Sequence, residues 1–411
     1  MTDILRRPPA DRETAAAQRV PVLDPEEAFA AAERLASAFA RGAAERDARR
    51  ILPAAEVEVL SASGLLALSI PRESGGAGAT PSTIAQVIRI LATADPNIAQ
   101  IPHSHFVYLN LLRLAAAEPL REELYDEVLH GARLGNAQSE LKGPTALSIS
   151  TVLTPDGDRG YRLNGRKGYA TGALFATWIP VLAELGGSGE NAVAFVRRDA
   201  DGVTVLDDWD GMGQRTTASG QVHLDDVRVP AARVVRRGDA VSGPYGYGAY
   251  AQLLHGAIDT GIAEGALAEA AAFVRTTSRP HHEAGVTKAV DDPLTIQRIG
   301  ELDVRVRAAR AQLRVAGEAV DAVHRQPDED NATEATLAVA ALKILAAEAA
   351  LAVTEGGFEV SGTRAVARAS NFDRHWRNAR THTLHDPVRW KYQHLGRFRL
   401  TGQRPPRTGT L

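Results

Sequence analysis

The chain has 411 residues, of which 44% are hydrophobic and 24% charged, and its formal net charge is -3. It can therefore bury a large core in more than one domain, and its near-neutral charge gives no global field that would favour nucleic acid or a membrane surface. There is no cysteine, which excludes disulfides, zinc–thiolate sites and iron–sulfur clusters and fits a cytoplasmic protein. No apolar run is expected to reach the roughly 18 residues that a membrane span needs.

The first part of the chain has a helical pattern. Residues 1–22 contain Arg6-Arg7 followed by Pro8-Pro9, with no apolar stretch typical of a signal peptide, and are predicted to be a mobile arm. Residues 23–132 are predicted to form a helical domain that begins at the Asp24-Pro25 helix start. The Gly-rich loop near Gly78 lacks the Gly-Lys-Ser/Thr ending of a phosphate-binding loop and is interpreted as a structural turn.

A change of pattern marks the next domain, residues 133–237. Short β-branched segments such as Tyr161–Gly165 and Ala192–Val196 are separated by Gly, Asp and Asn turn signals. The region is too long for a loop, so a central β-barrel domain is predicted. Residues 238–411 return to long, Ala-rich helical segments, which favour close packing of helices within and between subunits. The predicted class is α+β, with a helical N-domain, a β-barrel and a C-terminal four-helix bundle.

Two histidines stand out near the C-terminus. His382 and His385 are three residues apart, and Asp386-Pro387 follows directly as a predicted helix start. Both histidines would then lie in the loop before that helix, where ligand-binding residues are common. Because arginines crowd the same stretch, a contact between subunits is an alternative interpretation.

This architecture and two local motifs resemble the acyl-CoA dehydrogenase fold. The motifs are Gly135-Asn-Ala-Gln-Ser-Glu140 and Asp208-Trp-Asp-Gly-Met-Gly-Gln-Arg-Thr-Thr-Ala-Ser-Gly220. Dehydrogenases of this fold need a carboxylate base, yet no Glu follows Glu359, and the first long C-terminal helix offers only Asp259 near the matching position. Dehydrogenation of acyl-CoA with FAD therefore remains an alternative that the residues disfavour.

The sequence is more similar to the flavin-dependent monooxygenase branch of the fold, which includes dibenzothiophene monooxygenases and sulfur-acquisition oxidoreductases. The resemblance is carried by the first motif, by Asp207-Asp-Trp209, by Arg215-Thr-Thr-Ala-Ser-Gly220 and by the histidine pair. It implies a homotetramer that takes reduced FMN from a separate flavin reductase, with FAD less expected. It also implies that a flavin hydroperoxide passes oxygen to an organosulfur compound, with N-oxygenation of an amine as the alternative.

The same resemblance suggests roles for individual residues. The expected catalytic residues are His385, His382, Asn136 and Thr171, because a reacting flavin needs positioned donors in a dry site. The expected flavin-binding residues are Asn136, Ser139, Thr171, Thr217, Ser219, Arg279 and His385. Arg279 would reach the flavin phosphate of a neighbouring subunit, as its planar guanidinium suits phosphate. Ordinary capping, turn, strand and surface roles are the alternatives for these residues.

Substrate contacts are expected from Ser104, His105 and Trp209. For Trp209 the alternative is a buried core residue. No metal is expected, since His103 and His105 do not share a helix face and no third ligand is near in sequence. A non-catalytic assembly module with this fold is the remaining alternative, although it would not need the histidine pair or Asn136.

Overall fold

A computed structural model describes residues 18–143, 145 and 148–409. The chain forms a helical N-terminal region, a central sheet and a helical C-terminal region, in the predicted order. The helices of the first region are α1 (Pro25–Arg49), α2 (Ala54–Ala62), α3 (Pro81–Ala94), α4 (Pro96–Gln100), α5 (His103–Ala115) and α6 (Glu118–Leu129).

The N-terminal region begins with a defined cap. Asp24 accepts from the Glu27 N–H, and the Glu27 side chain accepts from the Asp24 N–H, so both groups of a capping box are present at α1. Residues 1–17 of the predicted arm lie outside the described residues. The remaining part, 18–22, packs on the domain, since the Val20 N–H donates to the Leu129 carbonyl at 2.8 Å.

The central region is one sheet with the strand order β5-β6-β2-β1-β3-β4-β7. Its strands are β1 (Val152–Pro155), β2 (Tyr161–Lys167), β3 (Trp178–Leu185), β4 (Asn191–Arg197), β5 (Val203–Val205), β6 (Val222–Val229) and β7 (Val234–Arg236). Only β1 and β3 pair in parallel, and all other neighbours are antiparallel. The predicted central β domain is thus confirmed, with β5 and β7 as the first and last strands in the order of its sheet.

The C-terminal region contains α7 (Arg237–Val241), α8 (Tyr247–Thr276), α9 (Pro293–Arg325), α10 (Glu329–Ser361), α11 (Arg374–His382) and α12 (Val388–Thr401). The three long helices pack side by side, with α10 against both α8 and α9. Contrary to the sequence expectation, α10 is long and apolar enough to span a membrane, but 67% of its most apolar window is buried in the protein. Its Ala-rich surface is accounted for by packing in the helical core.

The last helices differ from the prediction at one point that matters for the site. His382 is the final residue of α11, and only His385 lies in the turn before α12. The loop 207–220 leaves the sheet and reaches this turn. A side chain at Gly213 would collide with the Arg377 carbonyl, so glycine allows the loop to lie directly on α11.

Candidate active site

The largest set of sequence-predicted residues meets in one cavity of about 460 Å³. The cavity lies where α4, the segment around Ser139, loop 207–220 and the turn after α11 come together. Its lining residues are Gln100, Ser139, Glu140, Tyr169, Thr171, Trp209, Gln214, Thr217, Ser219, Thr381, Leu384 and His385. The volume is that of a site for a cofactor-sized ligand.

Loop 207–220 is held firmly from both sides. Arg50 forms an ion pair with Asp207, and its Nε donates to the Trp209 carbonyl at 3.0 Å. On the α11 side, the Gln214 N–H donates to Asn378 Oδ1 at 2.7 Å. Gln214 has a φ of 51°, a left-handed conformation that is uncommon for a residue with a side chain. The surroundings thus fix an unfavourable backbone that aims Gln214 at the cavity.

Three hydroxyls form a chain with only one possible direction. Thr217 Oγ1 donates to the Gln214 carbonyl at 2.9 Å, and that oxygen can only accept. Ser219 must therefore donate to Thr217, at 2.7 Å, and Thr171 must donate to Ser219, also at 2.7 Å. Thr171 is left with lone pairs alone, so it can accept a hydrogen bond from a ligand in the cavity but cannot donate one.

Unsatisfied polar atoms indicate that the cavity is built for a polar ligand. Gln214 is 2% exposed, and neither its Nε2 nor its Oε1 has a hydrogen-bond partner among the described residues. The same holds for Thr381 Oγ1. Buried polar groups are almost always paired in native proteins. An isoalloxazine ring carries donors and acceptors side by side, which is what a buried primary amide can satisfy.

A cluster of histidines lies at the cavity, and His385 is its member that lines the wall. His382 Nε2 lies 3.0 Å from Gln100 Oε1 and 3.2 Å from His255 Nδ1. His385 Nε2 lies 3.2 Å from Gln100 Nε2, and its Nδ1 donates to the His382 carbonyl at 2.7 Å. His255 stacks on His103, with ring centroids 3.9 Å apart. His385 faces the cavity, whereas His382 is fully buried behind it.

An ion pair in the helical core supports the cluster. His382 Nδ1 lies 2.5 Å from Asp259 Oδ1, and Lys343 Nζ lies 2.9 Å from Asp259 Oδ2. All three side chains are at most 1% exposed. Burial alone would raise the pKa of Asp259, but Lys343 and His382 hold it well below its ordinary value. Asp259 is therefore a buried carboxylate that fixes the orientation of His382.

The ring nitrogens of His255, His382 and His385 come within 4.8 Å of one another, a spacing that could hold a metal ion. His255 is far from the other two in sequence, so this group was not expected from residue spacing. His382 and His385 already have partners on both ring nitrogens. We therefore interpret the cluster as a hydrogen-bonded network.

Glu140 lines the cavity, but hydrogen bonds within the protein occupy its carboxylate. It accepts from Lys167 Nζ at 2.9 Å and from Ser150 and Thr151. Burial would raise the pKa of Glu140, but the hydrogen bonds from Ser150, Lys167 and Thr151 lower it to about 2. A carboxylate held ionised in this way is a poor general base.

Two other predicted residues, Asn136 and Arg279, differ in their position relative to the cavity. Asn136 lies beside the cavity, where its Nδ2 donates to the carbonyl of the cavity-lining Tyr169 at 3.3 Å and its Oδ1 accepts from the Tyr108 hydroxyl at 3.4 Å. Arg279 is exposed, and none of the hydrogen bonds found in the described part of the chain involves it. Its predicted contact with a neighbouring subunit cannot be formed within one chain.

The two predicted substrate residues of α5 lie outside the lining of this cavity. His105 Nε2 bonds the Leu66 carbonyl at 2.8 Å, and its Nδ1 accepts from the Leu134 N–H at 3.1 Å. With both nitrogens engaged and 1% exposure, His105 joins two domains and does not line the cavity. Ser104 is half-buried and also absent from the lining, so Trp209 alone of the three predicted residues faces the cavity.

Sequence reasoning missed Gln100, His255, Lys343 and Gln214. His255 and Asp259 are four residues apart on α8 and so share a helix face, a signal that could have linked them. Lys343 interrupts the apolar α10, and a buried cation in such a helix needs a carboxylate partner. Nothing in the sequence around Gln100 or Gln214 distinguishes these residues from surface amides.

Comparison with known proteins agrees with this geometry. The sequence matches the acyl-CoA dehydrogenase N-terminal, middle and C-terminal domains over residues 26–132, 138–227 and 253–390. It is 35% identical to dibenzothiophene monooxygenase from Rhodococcus qingshengii, over 92% of this chain and 94% of that protein. The chain belongs to the flavin-dependent monooxygenases of the acyl-CoA dehydrogenase fold.

Two further relatives identify the cofactor of this monooxygenase. A probable FMNH2-dependent monooxygenase, SfnC from Pseudomonas putida, is 31% identical over 93% of this chain and 96% of its own length. The crystal structure of FMN-bound TdsC from Paenibacillus sp. A11-2 superposes with a TM-score of 0.89 at 32% identity, covering 93% of this chain and all of that one. The cofactor is FMN.

Proposed function

We propose that this monooxygenase uses reduced FMN, supplied by a separate flavin reductase, to transfer one oxygen atom from O2 to the sulfur of an organosulfur compound. The observation that carries the proposal is the cavity itself, with an unpaired buried amide at Gln214, an acceptor-only hydroxyl at Thr171 and an imidazole at His385. The similarity to dibenzothiophene monooxygenase favours sulfur over other nucleophiles. Bound reduced FMN supplies the reaction with O2.

We expect the residues around the cavity to have different roles in the reaction. Thr171 accepts a hydrogen bond, which suits the N5–H that reduced FMN carries and oxidised FMN lacks. His385 and Asn136 supply polar groups beside the reacting centre, while His382 orients His385 from behind. Ser139, Thr217 and Ser219 line the cavity beside the expected position of the flavin ring. Trp209 is the lining residue that could pack against an aromatic substrate.

The dehydrogenase alternative lacks a free base. Asp259 is fully buried between Lys343 and His382, and Glu140, the carboxylate among the described lining residues, is held by Lys167 and two hydroxyl residues. Neither can take a proton from carbon in the cavity. N-oxygenation of an amine needs the same apparatus, and no feature of the cavity favours it.

We also propose a homotetramer and a cytoplasmic location. Large apolar side chains are exposed on two helices of the C-terminal region, with Leu294 of α9 at 74%, Leu400 of α12 at 86% and Trp390 of α12 at 51%. Such exposure is typical of a surface that another subunit covers. A partner subunit would also give Arg279 a flavin phosphate to bind. Native mass spectrometry of the full chain, and of Leu294→Glu and Leu400→Glu, tests this assembly.

The activity is tested by mixing the protein anaerobically with reduced FMN, admitting 18O2 and recording the flavin spectrum. Sulfides, sulfones and thiophenes are the first compounds to add. We expect a transient spectrum distinct from both reduced and oxidised FMN, followed by one labelled oxygen in the product. Immediate reoxidation with all oxygen recovered as hydrogen peroxide, for every organosulfur compound, would reject the proposal.

A matched pair of variants locates the activity in the cavity. His385→Gln removes an imidazole from the cavity wall and should lower product formation by about a hundredfold. His394→Gln makes the same change on α12, away from the lining residues, and should leave the rate unchanged. Equal effects of the two substitutions would mean that His385 has no special role.

A further inference from the structure

A second cavity lies away from the flavin site. It has a volume of about 390 Å³ and is bounded by the loop that precedes α3 and by α3, α5, α8 and α9, and we call it the α5–α9 cavity. None of its lining residues lines the cavity at His385. Asn110 on its wall is seven residues along α5 from His103 of the histidine cluster, which corresponds to about 10 Å of helix.

Three buried polar atoms in the lining of the α5–α9 cavity have no hydrogen-bond partner among the described residues. They are Ser69 Oγ, Asn110 Nδ2 and His324 Nε2. They come from the loop before α3, from α5 and from α9, and Asn110 is only 5% exposed. Because buried polar groups are almost always paired in native proteins, three such atoms around one cavity indicate a polar ligand.

The Asn110 amide can act only as a donor towards this cavity. Its Oδ1 accepts from Arg113 Nε at 3.2 Å and from Arg113 Nη2 at 3.0 Å. Turning the amide by 180° would place its NH2 against two N–H groups that cannot accept. The oxygen is therefore fixed on the arginine side, and the NH2 remains to donate to a ligand.

His324 and Ser69 can also donate. Burial, together with the nearby charge of Arg113, lowers the pKa of His324 to about 3. The imidazole is therefore neutral at pH 7 and carries one proton, which Nε2 can hold, and the Ser69 hydroxyl also has one proton to donate. The unpaired atoms thus suit a ligand that offers several acceptors.

The charged groups on the cavity wall favour a negative ligand. Asp321 is occupied, since it accepts from the Ser82 N–H at 2.9 Å and from the Ser82 hydroxyl at 2.5 Å, and Glu73 is exposed. Against these two carboxylates stand three guanidinium groups, which leave one positive charge. None of the ion pairs found in the described part of the chain includes these arginines, which are Arg72, Arg113 and Arg325.

The cavity also has an apolar part. Ile84, Leu109 and Tyr250 line it and are each at most 2% exposed. Tyr250 packs against the His324 ring, with ring centroids 5.4 Å apart. An inorganic anion would leave this apolar surface in contact with water, whereas an organic acid would cover it.

We propose that the α5–α9 cavity is a second ligand site that binds a small organic acid, either a carboxylate or a sulfonate. The oxygen atoms of the acid accept hydrogen bonds from Asn110, Ser69 and Arg113. Its apolar part packs on Ile84 and Leu109. Because this cavity is separate from the flavin site, binding of the acid requires neither FMN nor oxygenation.

The test is isothermal titration calorimetry of the full chain with benzoate and with benzenesulfonate, repeated on protein saturated with oxidised FMN. We expect each acid to bind with the same Kd in both titrations. Benzamide, which is the neutral analogue of benzoate, and inorganic sulfate, which has no apolar part, should bind at least about tenfold more weakly. No binding of either acid at millimolar concentrations, equal binding of benzamide or sulfate, or displacement of the acids by FMN would each overturn the proposal.

Substitutions at two positions locate the binding. Asn110→Asp keeps an acceptor for Arg113 but replaces the donor with a negative charge, so it should abolish benzoate binding. Arg325→Gln removes an exposed guanidinium from the cavity wall and should weaken benzoate binding by about threefold to tenfold. Arg305→Gln is the matched control, because it makes the same change on α9 outside the cavity. An unchanged Kd in Asn110→Asp, or equal effects at 325 and 305, would contradict the assignment.

Gln214→Leu separates this site from the flavin cavity. It should weaken FMN binding and leave the Kd of benzoate unchanged, since Gln214 lines only the flavin cavity of the two. A loss of benzoate binding in this variant would place the acid in the flavin cavity and reject the second site. Benzoate binding to a chain that oxygenates no sulfur compound would reject the proposed function and leave the α5–α9 site standing.

Discussion

Removing the negative charge of Asp259 is expected to lower both the stability of the fold and the oxygenation activity. In Asp259→Asn the buried Lys343 ammonium, 2.9 Å away, loses its counter-charge, and one of the two oxygens that face Lys343 and His382 (2.5 Å away) becomes an NH2, which donates and cannot accept. Breaking a buried ion pair by neutralising one member costs about 3–5 kcal/mol. We expect a loss of that size in the free energy of unfolding, and a fall in oxygenation of about a hundredfold because His382 is no longer oriented.

The assay is chemical denaturation at one fixed protein concentration, since association would contribute to the measured stability. The double variant Asp259→Asn/Lys343→Met removes the unpaired cation and should recover about 1–3 kcal/mol without recovering activity. Asp303→Asn is the control, because Asp303 pairs with Arg307 on the surface of α9 and should cost less than about 0.5 kcal/mol. Asp259→Asn should lower the free energy of unfolding by more than Asp303→Asn does. Equal losses, or additive effects of the substitutions at 259 and 343, would contradict the inference that Asp259 and Lys343 stabilise the fold as a buried ion pair.

Three further predictions follow from particular contacts. Gln214→Leu removes the unpaired buried amide, so FMN should bind about tenfold more weakly, by fluorescence titration, while the apoprotein becomes no less stable. His105→Phe loses the bonds to Leu66 and Leu134 and should cost about 2–4 kcal/mol of stability, with an unchanged KM for the sulfur substrate. Glu140 has a folded pKa of about 2 against 4.5, so its contribution is complete above about pH 4.5 and is lost as the pH falls towards 2; Glu140→Gln should flatten the decrease of Tm over this range, and an unaltered slope would contradict the assignment.

Several elements were predictable because their signals are local. The Asp24-Pro25 helix start marks the beginning of α1, and short β-branched segments between turn residues mark strands such as β2 and β4. The short strands β1 and β7 were missed, since three or four residues carry too little pattern to distinguish a strand from a loop. His382 was placed in a loop because Pro387 marks the start of the next helix but says nothing about where α11 ends.

The candidate site likewise combines residues that could be predicted from the sequence with contacts that could not. The family resemblance located Thr171, Thr217, Ser219 and His385, and the structure brings them to one cavity. Their chemistry, however, depends on residues far away in sequence. The direction of the hydroxyl chain follows from the Gln214 carbonyl, and the orientation of His382 follows from Asp259.

By itself, the sequence determined the order of a helical region, a β region and a second helical region, because capping and periodicity are properties of neighbouring residues. The resemblance to flavin-dependent monooxygenases implied the cofactor and the residues expected near it. Only the tertiary structure decided that His105 joins domains, that α10 is a core helix, and that Asp259 and Lys343 support His382. Burial and hydrogen-bond partners set the protonation of a side chain, and both come from contacts between residues more than 80 positions apart.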